Sequence, residues 1–507
     1  MKRDGPLFGL LCVLGACAVV FFARLGDGGL AYTEAFRATP AVEMLERSES
    51  GVSFQRRWLV PTLFDRDYLR KPPGMPLGIA ASYAVFGESV WAARVVSALA
   101  ATLTALLAFW FGRRWFGPVG GVASGLAAAL TPLIWDGARH AEIEALNHLG
   151  VALATYPLVH GVLWARGVRT RVVCGALAGV GVLLMLIAKG PAGLAVPVAA
   201  WVGAAVATRS VRALVGLAPQ VTLGITGLAL FGAWLAMRGV TLADDAVIQS
   251  PGDFLWQDGK VGDILLLVPV GLVQLLPASL ALLFPWGPDA KREVEFSEGA
   301  AVGWRTARAL SLSVLLTLIG MSIAGIGNPR YAWPVSVALW PIVGYAVAGV
   351  LARQSDERAM LPKRRSIGRA MLLGRGWVWP VALLAAFPVY VAVYEAPRRA
   401  TSGTGAGLEL GAAFPETARG KIVYANDAVE GRPEALRAFE LATESPVRWV
   451  AGDELIERVA AGGYAIVRMD NGELDRMRER VRVLTAIAEV RAAQYRYALV
   501  RGGSVDG

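Results

Sequence analysis

The sequence predicts a polytopic α-helical membrane domain followed by a small soluble α/β domain, and three observations carry that prediction. Of 507 residues, 55% are hydrophobic and only 18% are charged, with a mean hydropathy of +0.49. Apolar runs of roughly 18 or more residues recur, the length that crosses a hydrocarbon core about 30 Å thick. From residue 398 the pattern changes to short strands alternating with amphipathic helices. The net charge of +10 does not point to nucleic acid, because the basic residues gather in short loops between spans, where they set orientation. Cys12, Cys17 and Cys174 lie inside apolar runs and read as packing residues, not as a disulfide or metal set.

The first run, "LFGLLCVLGACAVVFFA" at 7–23, follows a charged start but has no small-residue cleavage site, so it reads as a retained span. Further spans are expected at about 89–112, 118–135, 141–165, 172–188, 191–207, 212–236, 263–286, 309–325, 331–352 and 374–395, about eleven in all. A short turn at 188–193 must separate two of them, and 74–87 reads as an interfacial helix. With the N-terminus cytoplasmic, "GRRWFG", "ARGVRTR", "TRSVR", "DAKREVEF…GWRTAR" and "ARQSDERAMLPKRRSIGR" all fall inside, as the positive-inside rule requires. The C-terminal segment then lies outside, in the periplasm or its equivalent.

Residues 1–397 form the membrane domain and 398–507 the exterior domain. In the latter "KIVYA", "VRWVA", "YAIVRM" and "QYRYALV" read as strands. "PEALRAFELA", "DELIERVAA" and "GELDRMRERVRVL" read as helices, and "TSGTGAGLELG" at 401–411 as a flexible linker. No internal repeat is visible.

The first exterior loop, about 25–88, breaks the charge rule: Arg56, Arg57, Arg66, Arg70 and Lys71 sit on the side that should be depleted. Its return to the bilayer at "DRDYLRKPPG" places Lys71 near the headgroup plane, with Tyr68 beside it. A Lys there suits a phosphate, and Arg66 or Arg70 can add forked hydrogen bonds. Simple snorkelling to lipid headgroups is the competing reading. A second cluster, "DGARHAEIEALNH", brings Arg139, His140, Glu142, Glu144 and His148 into about three turns, with Glu144 at or just below the interface. Ionisable groups at that depth suggest function, although Glu144 and His148 are also spaced as a helical i, i+4 pair. "LIAKGPAG" puts Lys189, and "GIGNPRYAWP" puts Arg330 and Tyr331, at exterior mouths of spans. Together these clusters describe an anion-binding cavity with candidate bases.

The order "TEAFRA…EML…W.VP.L….YL.KPPG……FG.S.WAAR", then "AR.AEIEAL", "AKGPAG" and "NPRYAWP", resembles the GT-C glycosyltransferases of the protein O-mannosyltransferase and lipid A aminoarabinose transferase type. The match runs from about 25 to 350. The resemblance implies an integral membrane transferase of the bacterial-type inner membrane, taking a sugar from a polyprenyl-phosphate carrier on the exterior face and inverting the anomeric centre. The acceptor would be a lipid, glycan or protein. It also implies an Asp-Glu pair near the end of the first span. Here those positions are Thr33 and Glu34, so the Asp is absent. Lys71 matches the phosphate-contacting lysine, Glu144 a second acidic position, and Lys189 and Arg330 the later cations.

The implied mechanism is a single displacement in which a carboxylate draws the acceptor proton while cations stabilise the departing lipid phosphate. Without the Asp three options stand: Glu34 or Glu144 is the base, the acceptor is already an anion, or transferase activity has been lost. In the last case the protein binds or transports lipid-linked sugars. No zinc spacing is present and no cofactor is required by the sequence; a divalent ion between Glu34 and Glu144 stays as an alternative.

Overall fold

The computed structural model is mainly helical and describes residues 5–47, 51–238, 240, 242, 247–248, 261–275, 278–286, 298–324, 329–360, 386–395, 403–426, 433–450, 452–492 and 495–503. Helix α1 (Gly5–Cys17) leads to α2 (Tyr32–Glu46) and α3 (Phe54–Leu59). An antiparallel pair follows, β1 (Thr62–Leu63) and β2 (Arg66–Leu69), and β2 is joined in parallel by the later β3 (Val247–Ile248). After α4 (Gly74–Phe86) come α5 (Val90–Leu130), α6 (Pro132–Arg139), α7 (Ile143–Leu163), α8 (Val168–Ala188), α9 (Ala195–Thr208) and α10 (Leu217–Met237). Helices Val261–Gln274, Glu298–Ile323 and Ser336–Met360 follow.

A straight helix of the length of α5 would measure about 60 Å, twice a hydrocarbon core. The chain breaks it at Gly117, whose φ of 79° and ψ of −177° are open to glycine. The two halves fold back so closely that a Cβ on Gly112 would collide with Ser124. This hairpin corresponds to the expected spans at 89–112 and 118–135, except that its second arm ends at Leu130 and the short α6 follows. Helices α7 and α8 pack antiparallel through Gly150 and Gly181, the small-residue contact that lets membrane helices approach backbone to backbone.

Among the described residues five helices are long and apolar enough to cross a membrane. A sixth is counted if the bent pair Val268–Gln274 and Ala278–Trp286, meeting at 112°, is one span. The expected eleven is not reached by that measure. Leu7–Phe22, Gly74–Phe86 and Ala195–Thr208 are shorter apolar helices, and residues 374–385 of the expected last span lie outside the described residues.

The C-terminal region is a five-stranded sheet ordered β5-β4-β6-β8-β7: β4 (Val423–Ala425), β5 (Val447–Trp449), β6 (Tyr464–Arg468), β7 (Leu484–Ala492) and β8 (Tyr495–Gly502). The first three are parallel, while β8 is antiparallel to both β6 and β7. Alternation along β6 sends Tyr464 and Ile466 to a core with Leu436 and Phe439, and Ala465 and Val467 to a core with Leu455 and Met477. Two expectations need correction. The stretch read as a linker is the helix Thr404–Ala413, because Leu410 is fully buried in the first of those cores. "GELDRMRERVRVL" is helical only over Glu473–Arg480; the apolar alternation beyond it opens strand β7.

This sheet domain rests on the 25–88 segment. Phe36, Leu63, Phe64 and Tyr68 join its core, the Trp449 amide donates to the Phe64 carbonyl at 3.0 Å, and Arg437 reaches Glu88 at 3.2 Å and Glu440 at 2.9 Å.

Candidate active site

The site is assembled where the 25–88 segment re-enters the helical bundle. After β2 the chain runs through Pro72 and Pro73 into α4, whose first residue, Gly74, lies against the end of α8. Any Cβ at Gly74 would collide with the Ile187 carbonyl. That close approach brings Lys71 to the end of α8, where Lys189 is the last cap residue. Phe36, Arg37, Tyr68, Lys71 and Ile143 line a narrow cleft there, and Phe36 stacks on Tyr68 at 5.6 Å. The space between them is about 10 Å³, room for roughly one water, so a headgroup must widen it to enter. A larger cavity of about 430 Å³, bounded by Leu272, Leu283, Trp286 and Leu315, is lined without a charged side chain.

Beside the cleft lie two buried carboxylates. Glu142 precedes the first turn of α7 and Glu144 lies within that turn. Ser97 of α5 holds the Glu142 backbone, accepting from its amide at 3.3 Å and donating to its carbonyl at 3.2 Å. The Glu142 carboxylate accepts a hydrogen bond from the Thr33 hydroxyl on α2 and has Arg330 at 3.5 Å. Glu144 is tied more firmly, to Arg330 at 2.9 Å and to Lys189 at 3.3 Å. Its Oε2 has no hydrogen-bond partner among the described residues. Lys189 also sits over the Tyr331 ring at 5.1 Å.

Electrostatics follow from that crowding. Burial lowers Lys71 to about 8, helped by the positive charges of Arg37, Lys189 and Arg70 and opposed by Glu144. A second strain lies at Glu142, which has the like charge of Glu144 beside it and the charges of Arg37 and Arg330 facing it. An anion entering the cleft would relieve the first of these strains, since it would favour the charged form of Lys71.

Glu34 stands apart from this network. It is fully buried, and Arg94 of α5 engages both of its oxygens, Nε to Oε1 at 2.7 Å and Nη2 to Oε2 at 2.8 Å. The Ala31 and Ala141 amides complete the shell at 2.7 and 2.8 Å. Burial by itself would raise its pKa, but Arg94 overrides that and holds it at about 2. A carboxylate so enclosed has no lone pair aimed at a substrate, which opposes the expectation that Glu34 is the base. The same shell leaves no room for a metal ion shared with Glu144. Among the described residues no group of three or more His, Cys, Asp or Glu side chains is placed to hold one.

The remaining expected residues divide. Tyr68, Lys71, Glu144, Lys189, Arg330, Tyr331 and Thr33 come together at the cleft. Arg66 stacks on Trp449 at 4.5 Å, part of the seat of the C-terminal domain, and Arg70 is exposed at the end of β2. Arg139 is buried and donates to the Val20 and Ala23 carbonyls at 2.8 and 2.9 Å, closing the end of the first helical segment. His140 pairs with Asp136 at 3.2 Å. Arg56 and Arg57 are also structural: Arg56 binds Asp67 at 2.8 Å and Arg57 caps α2 through the Met44 carbonyl at 2.6 Å. Sequence reasoning passed over Arg37, which donates to the Thr33 carbonyl at 2.6 Å. The signal available for it was its spacing, one helical turn after Thr33. Glu142 was named within its cluster but given no role; nothing in its spacing shows that it meets a residue 109 positions away.

The family model described as dolichyl-phosphate-mannose-protein mannosyltransferase matches residues 70–236. No curated protein sequence matches the chain. Among solved structures, ArnT from Cupriavidus metallidurans bound to undecaprenyl phosphate is 18% identical, with a TM-score of 0.68 over 98% of each chain. Its apo form is 19% identical, with a TM-score of 0.66 over 96% of this chain and 97% of that one. The Archaeoglobus fulgidus oligosaccharyltransferase tethered to an acceptor peptide is 9% identical, with a TM-score of 0.52 over 92% of this chain and 70% of that one. At these identities the structural likeness establishes the fold. The resemblance read from the motifs is in keeping with both findings: the chain has the fold of ArnT, and residues 70–236 match the model of the dolichyl-phosphate-mannose-protein mannosyltransferase family.

Proposed function

We propose that this protein transfers a sugar from a polyprenyl-phosphate carrier to a lipid, glycan or protein hydroxyl on the exterior face of a bacterial-type inner membrane, with inversion. The observation that carries this reading is the placement of Lys71, Arg37, Lys189 and Arg330 around two buried carboxylates where the loop re-enters the bundle. Cations there match a lipid phosphate at headgroup level, and the structural likeness to an ArnT bound to undecaprenyl phosphate supports the same donor class. Lys71 contacts the phosphate, and Arg37 and Arg330 take up charge as the sugar–phosphate bond breaks. Glu144, itself paired with Lys189, holds Arg330 in place. The sheet domain, seated on Phe36 and Tyr68, closes the cleft from outside and offers the acceptor its docking surface.

A binding or transport role without catalysis is the second reading. It is favoured by Thr33, a neutral residue where the resemblance implies an acid. Transfer of labelled sugar from polyprenyl-phosphate donors by the purified protein in liposomes separates the two. Consumption of donor by wild type, abolished in Lys71→Ala, supports the transferase. Lys71-dependent affinity for the lipid phosphate with no donor consumed supports the binder.

A further inference from the structure

We propose that Glu142 and Thr33 act as one unit in which Glu142 is the general base and the Thr33 hydroxyl relays the acceptor proton to it. This inference rests on the transferase reading and names the base which that reading left open.

Of the buried carboxylates Glu34, Glu142 and Glu144, two are committed elsewhere. Glu34 is enclosed by Arg94 and two amides. Glu144 is held by both Lys189 and Arg330, and a carboxylate paired with two cations is a weak acceptor for a proton. Glu142 is different: its cation contact is the longer one, 3.5 Å to Arg330, and its other oxygen accepts from Thr33. The Glu142 side chain is 1% exposed, so an acceptor hydroxyl does not reach it directly. Thr33 is half-buried and bridges the gap. Its hydroxyl has one proton to donate and lone pairs to accept with, and Arg37, one turn on, fixes the Thr33 backbone.

The groups facing Glu142 are Thr33 and Arg37 from α2, Glu144 from α7 and Arg330 from the turn before helix Ser336–Met360. In the step itself, the acceptor oxygen forms its bond to the anomeric carbon as the bond from that carbon to the phosphate oxygen breaks. The electron pair of the broken bond stays on the polyprenyl phosphate. The acceptor proton passes to Thr33 Oγ1, and the Thr33 proton passes to Glu142 Oε1. Charge and atoms balance with no further reactant.

The test is the turnover of polyprenyl-phosphate sugar donor in liposomes by wild type, Glu142→Gln, Thr33→Val and the double variant Glu142→Ala with Thr33→Asp, across pH 5 to 9. Each single variant is expected to lose roughly a hundred- to ten-thousand-fold in kcat while keeping wild-type affinity for polyprenyl phosphate and an unchanged Tm. The double variant returns a carboxylate to the same place and is expected to recover at least about tenfold of the loss. The acid limb of the pH–rate profile should vanish in Glu142→Gln, a change that a purely structural role would not produce. Full rate in either single variant, or no recovery in the double variant when its Tm is wild-type, overturns the inference alone. A wild type that consumes no donor overturns the transferase reading and this one with it.

Discussion

Two buried carboxylates on neighbouring elements, Glu34 and Glu142, are both about as inaccessible to water as a side chain can be, yet their surroundings are opposite. Glu34 receives a two-pronged guanidinium and two backbone amides, and the same Arg94 also donates to the Leu25, Asp27 and Gly29 carbonyls at 2.8 to 3.0 Å. It is a rivet that joins the end of the first helical segment to α2 and α5. Glu142 receives one hydroxyl and faces the charges of Arg37 and, at 3.5 Å, Arg330, with a like charge beside it. Burial alone does not mark a catalytic carboxylate; the groups that surround it do.

That contrast is broken most severely at the rivet. Replacing Arg94 by Ala leaves Glu34 buried without its partner, and loss of one member of such a pair costs about 3 to 5 kcal/mol. Thermal unfolding in detergent should show a large fall in Tm, whereas Glu142→Gln should show none. The sign with pH is also set. Because Glu34 is held at about 2 in the fold against 4.5 ordinarily, its contribution is fully present above about 4.5. It is lost as pH falls toward about 2. A smaller effect is expected at the phosphate contact. Lys71→Ala removes one charge-assisted interaction of about 1.5 to 3 kcal/mol, so the affinity for polyprenyl phosphate in liposomes should fall roughly ten- to a hundredfold.

A finer probe separates the charge of Lys71 from its shape. Its pKa of about 8 means that the free protein loses this positive charge as pH rises through that value, and kcat/KM for donor should fall there. In Lys71→Arg the limb should move above pH 9, even if the maximal rate is lower. The smallest effect belongs to the seat of the C-terminal domain. Arg437 reaches Glu88, which is 37% exposed, and Glu46, which is 63% exposed, at 3.9 Å. Glu88→Ala should therefore cost about 1 kcal/mol or less, read as a small fall in Tm.

How far the molecule could be read in advance differs by kind of residue. Lys71, Lys189 and Arg330 were visible because a cation at the mouth of an apolar run is a local pattern, and local patterns survive without a fold. Glu34 was visible as an acid that the motif order aligns with the Asp-Glu pair, but its partner Arg94 was not, because it lies 60 positions away on another helix. Strand β7 was missed because a charged helix runs straight into it, and the period changes within three residues of Arg480. The helix at Thr404–Ala413 was missed because its glycines signal a linker, while the burial of Leu410 that outweighs them is supplied by a sheet formed later in the chain.

By itself the sequence determined what depends on composition and on neighbours along the chain. That covers a membrane-embedded helical body, a charged loop between the first two apolar runs, a terminal α/β domain and the cations around the cleft. Only the tertiary structure decided which buried acid is enclosed by Arg94 and which faces the Thr33 hydroxyl. The reason is physical: the proton affinity of a buried carboxylate is set by the few groups within about 4 to 6 Å of it. Here those groups come from α2, α5, α7 and the turn at Arg330, which folding alone brings together.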